Sequence, residues 1–232
     1  MATRLWFQAS GTIASPTNPT FDANWEQNGQ ATRLPLTIKA QAVAQTALTN
    51  SAAITVPITT TQQILCDQFV SDAIFDPIRL DASVTLSFVM RVGENATTNN
   101  AFLAYMLRAV SADGARALAT LASSMTNAGT EYALTSAPDT RLFSAIALTA
   151  TTLSEPWRLV MEIGAHAQAP TVAGSVIHRR GCNAASDFAL TSALTTDLNP
   201  WMELSVNLNA LSTPTHYSIK SSGLSVAGGI VR

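Results

Sequence analysis

Residues 84–92 read Val84-Thr85-Leu86-Ser87-Phe88-Val89-Met90-Arg91-Val92. From Val84 onwards every second residue is apolar, whereas Thr85, Ser87 and Arg91 are polar. A period of two places alternate side chains on opposite faces of an extended strand, so this stretch predicts a strand with one buried face. The next eight residues, 93–100, are mainly turn formers and end the strand.

Further stretches with the pattern of a β-strand, separated by turn-forming residues, recur along the chain. Asp113-Gly114 lies between two of them and predicts a tight hairpin turn. The segment 116–124 is rich in Ala and Leu and is compatible with a helix, but its position after that turn favours a strand. The segment 41–51 is compatible with a short helix or a loop. The predicted strands are 4–8, 34–40, 53–58, 63–70, 84–92, 102–110, 116–124, 142–148, 157–165, 174–179, 201–208 and 216–220.

This spacing of short strands and turns predicts an all-β fold, an antiparallel β-sandwich of jelly-roll-like type with extended N- and C-terminal segments. We expect one sandwich domain over residues 1–209, with a Pro/Ser/Thr-rich peripheral loop at 10–20, and a C-terminal arm at 210–232. The arm is either a frayed tail or a segment that lies on a neighbouring subunit, because its apolar side chains would otherwise be exposed. The predicted inter-subunit contact residues are Arg179, Arg180, Leu224, Val226 and Ile230.

The composition excludes several classes of protein. The 232 residues carry a net charge of −2, and only 12% are charged, against about a quarter in an average protein. A nucleic-acid-binding protein needs an excess of basic charge, and a membrane span needs about 18 consecutive apolar residues. Neither feature is present, so we expect no direct contact with nucleic acid or membrane. A surface of Ser, Thr, Asn, Gln and Ala suits a protein packed against neighbours.

No arrangement of residues marks a catalytic, cofactor or metal site. His166, His178 and His216 lack partners at metal-ligand spacing. His178 and Cys182 form a conceivable nucleophile pair, but no third residue is placed to orient them. The acidic residues are scattered, and the sequence does not exclude a carboxylate pair that folding brings together; an exposed pair in a deep cleft would favour a hydrolase. We expect a non-enzymatic protein without cofactors.

Two further residue types leave alternatives open. Cys66 lies in an apolar run, which favours a buried free thiol, but its pairing with Cys182 stays open. Trp25 lies in the polar stretch 24–29, and its side chain is either a core residue or a platform on which a sugar ring stacks. A buried Trp25 would argue against sugar stacking.

Several segments together resemble a group of tailed-bacteriophage virion proteins, most of them uncharacterised. The resemblance covers residues 1–207 and brings no catalytic motif with it. The segments are M-A-T-R-L-W-F (1–7), N-W-E (24–26) with R-L-P (33–35), T-Q-Q (61–63) with C-D-Q-F (66–69), A-Y-M-L-R-A-V-S (104–111), V-M-E-I-G (160–164), D-F-A-L (187–190) and D-L-N-P-W-M-E-L (197–204).

The resemblance implies a structural part of a virion, assembled in the host cytoplasm. The first hypothesis is a capsid decoration (cement) protein that binds the major capsid protein, or a tail or neck component, with a homotrimer as the favoured assembly. The alternative is a glycan-binding module of a receptor-binding fibre, which would use Trp25 or the 95–100 loop.

Overall fold

The computed structural model describes residues 2–38, 49–56, 59–96, 100–126, 129–134, 139–171, 174–182, 186–190 and 198–208. These residues contain 14 strands and no helix, so the all-β prediction is confirmed. The strands are β1 (Thr3–Phe7), β2 (Thr32–Thr37), β3 (Thr49–Asn50), β4 (Ile54–Val56), β5 (Gln62–Ser71), β6 (Ile78–Leu80), β7 (Thr85–Glu94), β8 (Ala101–Ser111), β9 (Ala117–Ser124), β10 (Asp139–Ala147), β11 (Thr151–Leu153), β12 (Trp157–Ala167), β13 (Gly174–Arg180) and β14 (Trp201–Leu204).

Twelve strands form one sheet that folds back on itself. Its order is β3-β13-β7-β14-β1-β2-β5-β12-β8-β9, with β10 on the free side of β7 and β4 on β13, while β6 and β11 form a separate two-stranded sheet. The rings of Phe88 in β7 and Tyr105 in β8 lie 5.0 Å apart although their strands are six positions apart in this order. The two halves of the sheet therefore face each other, and the predicted β-sandwich is confirmed.

One ladder differs from the antiparallel prediction. β2 and β5 run parallel, with Thr32 opposite Asp67 and Leu36 opposite Ser71. Parallel neighbours need a long crossover, and residues 38–61 provide it, whereas antiparallel neighbours can be joined by a short hairpin. The alternation within each strand is the same in both cases, so the sequence pattern could not reveal this exception.

β7, which contains most of the alternating stretch 84–92, lies in the middle of the sandwich. Leu86, Phe88, Met90 and Val92 of β7 all point into the main core, as their period of two predicts. Val89 on the opposite face is also fully buried, in a second cluster with Trp6 and Trp201. β7 thus has apolar neighbours on both faces, and it continues two residues beyond the predicted end, to Glu94.

The ends of several elements required correction. β14 ends at Leu204, four residues before the predicted end, and the short strands β3, β6 and β11 were not predicted. The segment 117–124 is the strand that its position after the turn favoured, and Gly114 in that turn has a φ of 82°, which glycine adopts without strain. The predicted strand at 216–220, the arm at 210–232 and most of the 41–51 segment lie outside the described residues.

Candidate functional site

A buried carboxylate lies on the face of β12 that is turned away from the main core. Met161 and Ile163, its neighbours in the strand, point into the main core, so Glu162 lies on the opposite face. Its side chain is nevertheless 0% exposed. Its side chain receives hydrogen bonds from Gln68 Nε2 at 2.9 Å and from the Arg108 guanidinium, which also forms an ion pair with it. β5, β8 and β12 lie side by side, so these partners converge from three adjacent strands.

The segment before β2 covers this carboxylate. The backbone N–H of Asp22 donates to both oxygens of Glu162, at 3.2 and 3.3 Å, and Arg108 Nη2 donates to the carbonyl of Thr20 at 2.7 Å. The loop at 10–20, which was predicted as peripheral, forms no strand but packs on the sheet: Ile13 contacts the apolar cluster of Val70, Val110 and Val160. The segment is therefore a cover for the outer face of β5, β8 and β12.

Trp25 belongs to this cover, which argues against sugar stacking. Its side chain is 3% exposed and packs with Leu65 and Ala104, and its indole N–H donates to Glu162 Oε2 at 2.8 Å. A stacking platform needs an open ring face, and this ring has none. Gly164 allows the close approach, because a Cβ there would lie 2.7 Å from Trp25 Cζ3 and 2.0 Å from the carbonyl oxygen of Ile64.

A second buried polar cluster lies between the two layers. Asp67 of β5 is 0% exposed and pairs with Arg180 of β13, with Nη2 and Oδ1 2.5 Å apart. His178 Nδ1 lies 3.4 Å from the other oxygen of Asp67, and its Nε2 lies 2.9 Å from the hydroxyl of Tyr132. Arg180 was predicted to contact a neighbouring subunit; within this chain its side chain is buried and paired with Asp67, and its role between subunits stays a prediction.

The other predicted contact residues have different outcomes. Arg179 is half-buried, and its Nη1 lies 3.4 Å from the side-chain oxygen of Asn50. Its role between subunits stays a prediction. Leu224, Val226 and Ile230 lie outside the described residues, as does the middle of the 95–100 loop.

Asp187 ties the N-terminal strand to the chain near β14. It receives hydrogen bonds from Arg4 Nη1 at 3.2 Å, Trp6 Nε1 at 3.0 Å and Asn199 Nδ2 at 2.9 Å. Arg4 also pairs with Glu203 across the β1–β14 ladder. No local sequence pattern predicts this arrangement, because Asp187 and its partners in β1 lie more than 180 residues apart in the chain.

A cavity of about 310 Å³ opens beside Trp25. Its rim is formed by the exposed, mainly polar run that directly follows this tryptophan, and its floor by buried apolar side chains of β4 and β5. The lining residues are Glu26, Gln27, Asn28, Gly29, Gln30, Ile54, Ile64 and Leu65.

A buried carboxylate, Glu94, lies where β7 ends, and the charge of Glu131 acts on it. Glu94 is 0% exposed, and Glu131 is half-buried. Burial raises the pKa of Glu94 to about 7; the N–H of Ala101 opposes this shift, and the charge of Glu131 adds to it. Because Glu94 is fully buried, this pair is not the exposed pair in a deep cleft that would favour a hydrolase.

The two cysteines of the chain do not pair with each other. Cys66 and Cys182 are buried and free, which settles the open question of their pairing. Burial raises the pKa of the Cys66 thiol well above its ordinary value. Within the described residues, no three His, Cys, Asp or Glu side chains cluster as metal ligands, and no helix is long and apolar enough to cross a membrane.

Comparisons with known proteins add little. The chain matches no protein-family profile and no curated protein. Among solved structures, a chain from the structure of the infectious bursal disease virus Gx strain aligns with 69% of this chain at 12% identity, with a TM-score of 0.20. The alignment covers 36% of that chain's own length. At this TM-score the superposition supports no conclusion about fold or function.

Proposed function

We propose that this chain is a non-enzymatic structural component of a tailed-phage virion, in the first instance a capsid decoration protein that binds the lattice of the major capsid protein. A second form of the same proposal places this chain in the tail or the neck of the particle instead of on the capsid. The resemblance of residues 1–207 to virion proteins of tailed phages points to this class.

The observation that carries the proposal is where the charges lie. The chain has only 13 basic and 15 acidic side chains, and at least seven of them are buried. The buried charged residues are Asp67, Glu94, Arg108, Arg141, Arg158, Glu162 and Arg180. The surface therefore has even fewer charges than the composition indicates. Such a surface gains little solubility from charge repulsion and suits permanent contact with neighbouring subunits.

Exposed apolar side chains support the same proposal. Phe75 is 52% exposed in the loop between β5 and β6, and Leu190 is 53% exposed. Single exposed apolar residues are common on monomers. On a surface this poor in charge, however, they are suitable anchors for a partner subunit, since apolar and aromatic side chains dominate interface energetics.

Quantification of the polypeptide in purified particles tests the proposal. Particles of the encoding phage, purified by density gradient, are digested, and the copies of this chain are counted against the major capsid protein by mass spectrometry with isotope-labelled peptides. A decoration protein is expected at a fixed ratio to the major capsid protein, amounting to hundreds of copies. A handful of copies would favour the tail or neck variant, and absence from the particle would overturn the proposal.

The predicted homotrimer has its own test. Light scattering of the purified chain should give about three times the monomer mass of 24.5 kDa. A Phe75→Ser variant, changed at an exposed site, should shift the protein towards monomer if Phe75 lies in the interface. A monomeric wild-type chain in dilute solution would contradict the trimer.

The cavity beside Trp25 favours glycan binding as a second candidate function. Its volume lies at the lower end of the range of small-ligand sites, and amide and carboxylate groups at its rim suit sugar hydroxyls. Gly29 provides a clean test, because a Cβ built there meets nothing within 4 Å. A Gly29→Leu variant should abolish glycan-array binding while the fold is retained, and Ala23→Leu, at an exposed site of the same segment, is the control. Binding unaffected by Gly29→Leu would contradict this site.

A further inference from the structure

A groove of about 230 Å³ lies beside the point where the chain leaves the sandwich. The loop between β5 and β6, together with the start of β6, forms one side of the groove, and the residues after β14 form the other. Leu208, at the end of the described chain, donates its N–H to the hydroxyl of Thr3 at 2.7 Å. The lining residues are Ile74, Asp76, Pro77, Ile78, Asn207 and Leu208. Residues 209–232 therefore start from the groove itself.

Apolar surface is exposed at this groove. Ile74 and Leu208 are buried, whereas Pro77 is exposed at the rim. Phe75 lies between two lining residues in the chain, and its side chain is 52% exposed. An exposed apolar patch with polar residues around it is typical of a surface that binds another protein segment.

The groove also borders a strand that has a ladder on one side only. β6 pairs with β11, and among the described strands none pairs with its other edge. Ile78, the first residue of β6, lines the groove. An open strand edge presents unpaired backbone N–H and C=O groups, to which an extended segment adds as a further strand. The groove thus combines apolar packing with the means for backbone pairing.

The sequence contains a segment whose chemistry matches this groove. Residues 221–232 read S-S-G-L-S-V-A-G-G-I-V-R and lie outside the described residues. Leu224 and Val226 are two positions apart, so an extended segment presents both on one face. Arg232 is the only charged residue of the segment, and Asp76 carries the only charge among the described residues that line the groove. Groove and segment are therefore complementary in apolar character and in charge.

We propose that this groove is the acceptor site for residues 221–232 of a second copy of this chain. From Leu208 to Leu224 is a step of 16 residues, which extends to at most about 55 Å. A compact domain of this length has a diameter of roughly 45 Å, so the segment can reach the same groove on an adjacent copy. Such head-to-tail contacts close into a ring when the rotation between copies permits. The inference rests on the proposed self-association of the chain, but not on its place in a virion.

Site-directed cross-linking of the full chain tests the acceptor site. Two chains with different tags are co-expressed, one with Pro77→Cys at the rim of the groove and one with Val226→Cys in the segment. A short bismaleimide then joins thiols that lie close together, and Cys66 and Cys182 are buried and therefore protected. We expect a cross-linked product that carries both tags. Ala23→Cys, at an exposed site before β2, replaces Pro77→Cys in the matched control and should give no such product.

An exchange of charges tests the same contact independently. Asp76→Arg in the chain with Pro77→Cys should lower the yield of the cross-link, because it places two arginines opposite each other. Arg232→Asp in the chain with Val226→Cys should then restore the yield. If the two changes lower the yield independently and the combination does not restore it, Asp76 and Arg232 do not meet.

The other outcomes of the cross-linking overturn the proposal. An equal yield with Ala23→Cys, or no product with Pro77→Cys, means that the groove is not the acceptor. If Pro77→Cys and Val226→Cys in one chain link only within that chain, the groove holds the chain's own segment. Should Pro77→Cys fail to fold, Asn207→Cys, also exposed at the rim, carries the test.

Light scattering of the wild-type chain separates this inference from the proposed assembly. A trimer whose subunits give no cross-link between groove and segment rejects the acceptor site and leaves the proposed trimer intact. A monomer rejects both.

Discussion

The indole N–H of Trp25 donates to Oε2 of Glu162 at 2.8 Å, across 137 residues of sequence. This bond joins the irregular segment before β2 to the outer face of the sheet. It changes the interpretation of the tryptophan, which covers a buried charge rather than offering its ring to a ligand. It also explains why residue 164 is glycine, since any larger side chain would occupy the space of the indole ring.

Gly164→Ala should destabilise the fold strongly. The added Cβ would lie 2.0 Å from the carbonyl oxygen of Ile64, which is backbone of the neighbouring strand β5 and cannot rotate away. Overpacking of a well-packed site costs about 1–3 kcal/mol, occasionally more, and we expect the upper end. The measurement is the free energy of unfolding in urea. Gly29→Ala is the control, since its Cβ meets nothing within 4 Å, and equal losses in both variants would contradict this explanation.

Glu162→Gln should cost much more than a surface carboxylate substitution. It leaves the Arg108 guanidinium, 4% exposed in its side chain, without its charged partner, and breaking a buried pair in this way costs about 3–5 kcal/mol. Glu155→Gln removes the exposed partner of Arg116 and should cost less than about 1 kcal/mol. Unfolding midpoints in urea compare the two variants. A loss for Glu162→Gln no larger than that for Glu155→Gln would show that the cluster does not stabilise the fold.

Substitution of the two nearby arginines of β13, Arg179 and Arg180, should change the free energy of unfolding by different amounts. Arg180→Met leaves the fully buried Asp67 without its guanidinium partner and should cost about 3–5 kcal/mol. Arg179→Met, at the half-buried neighbour, should cost less than about 1 kcal/mol, as is usual for substitutions at partly exposed sites. If Arg180→Met instead left the stability unchanged and weakened self-association, the prediction that Arg180 contacts a neighbouring subunit would be supported.

The stability of the chain should depend on pH through Glu94. Its pKa of about 7 in the folded state exceeds the ordinary value of 4.5, so the folded chain binds this proton more tightly than the unfolded chain does. The contribution of Glu94 is therefore fully present below about pH 4.5 and is lost as the pH rises to about 7. Burial lowers the pKa of His166, whose contribution has the opposite sign in part of this window.

Comparison with Glu94→Gln separates the two contributions. The variant should gain stability relative to the wild type by at most about 1.4 kcal/mol per pH unit between about pH 5 and 7. The free energy of unfolding is measured at several pH values for both proteins. Parallel curves for the two proteins would mean that Glu94 does not titrate in this range.

The alternating strands were predictable because their signal is local. β7, β8 and β12 were predicted within a few residues of their observed bounds. The strand at 117–124 was assigned against its Ala/Leu helix propensity because a hairpin turn precedes it. The parallel pairing of β2 with β5 was not predictable, since register and direction depend on contacts across the whole chain.

The buried charged clusters were missed for the same reason. The partners of Glu162 lie 54 residues away at Arg108 and 137 residues away at Trp25. One local signal was present: Asp67, Arg108 and Glu162 each interrupt a run of apolar strand residues. A charged residue in an apolar strand is buried and usually needs a partner of opposite charge. A search for such partners would have predicted buried polar clusters, although not which residues form them.

An image of the intact particle tests the central claim most directly. Under the proposal, electron cryomicroscopy of phage particles, compared with particles from a strain in which this gene is deleted, should show a β-sandwich density on the outer capsid surface that is missing in the deletion. Density at the tail or neck would favour the variant of the proposal. Identical maps from the two strains would contradict a structural role in the virion.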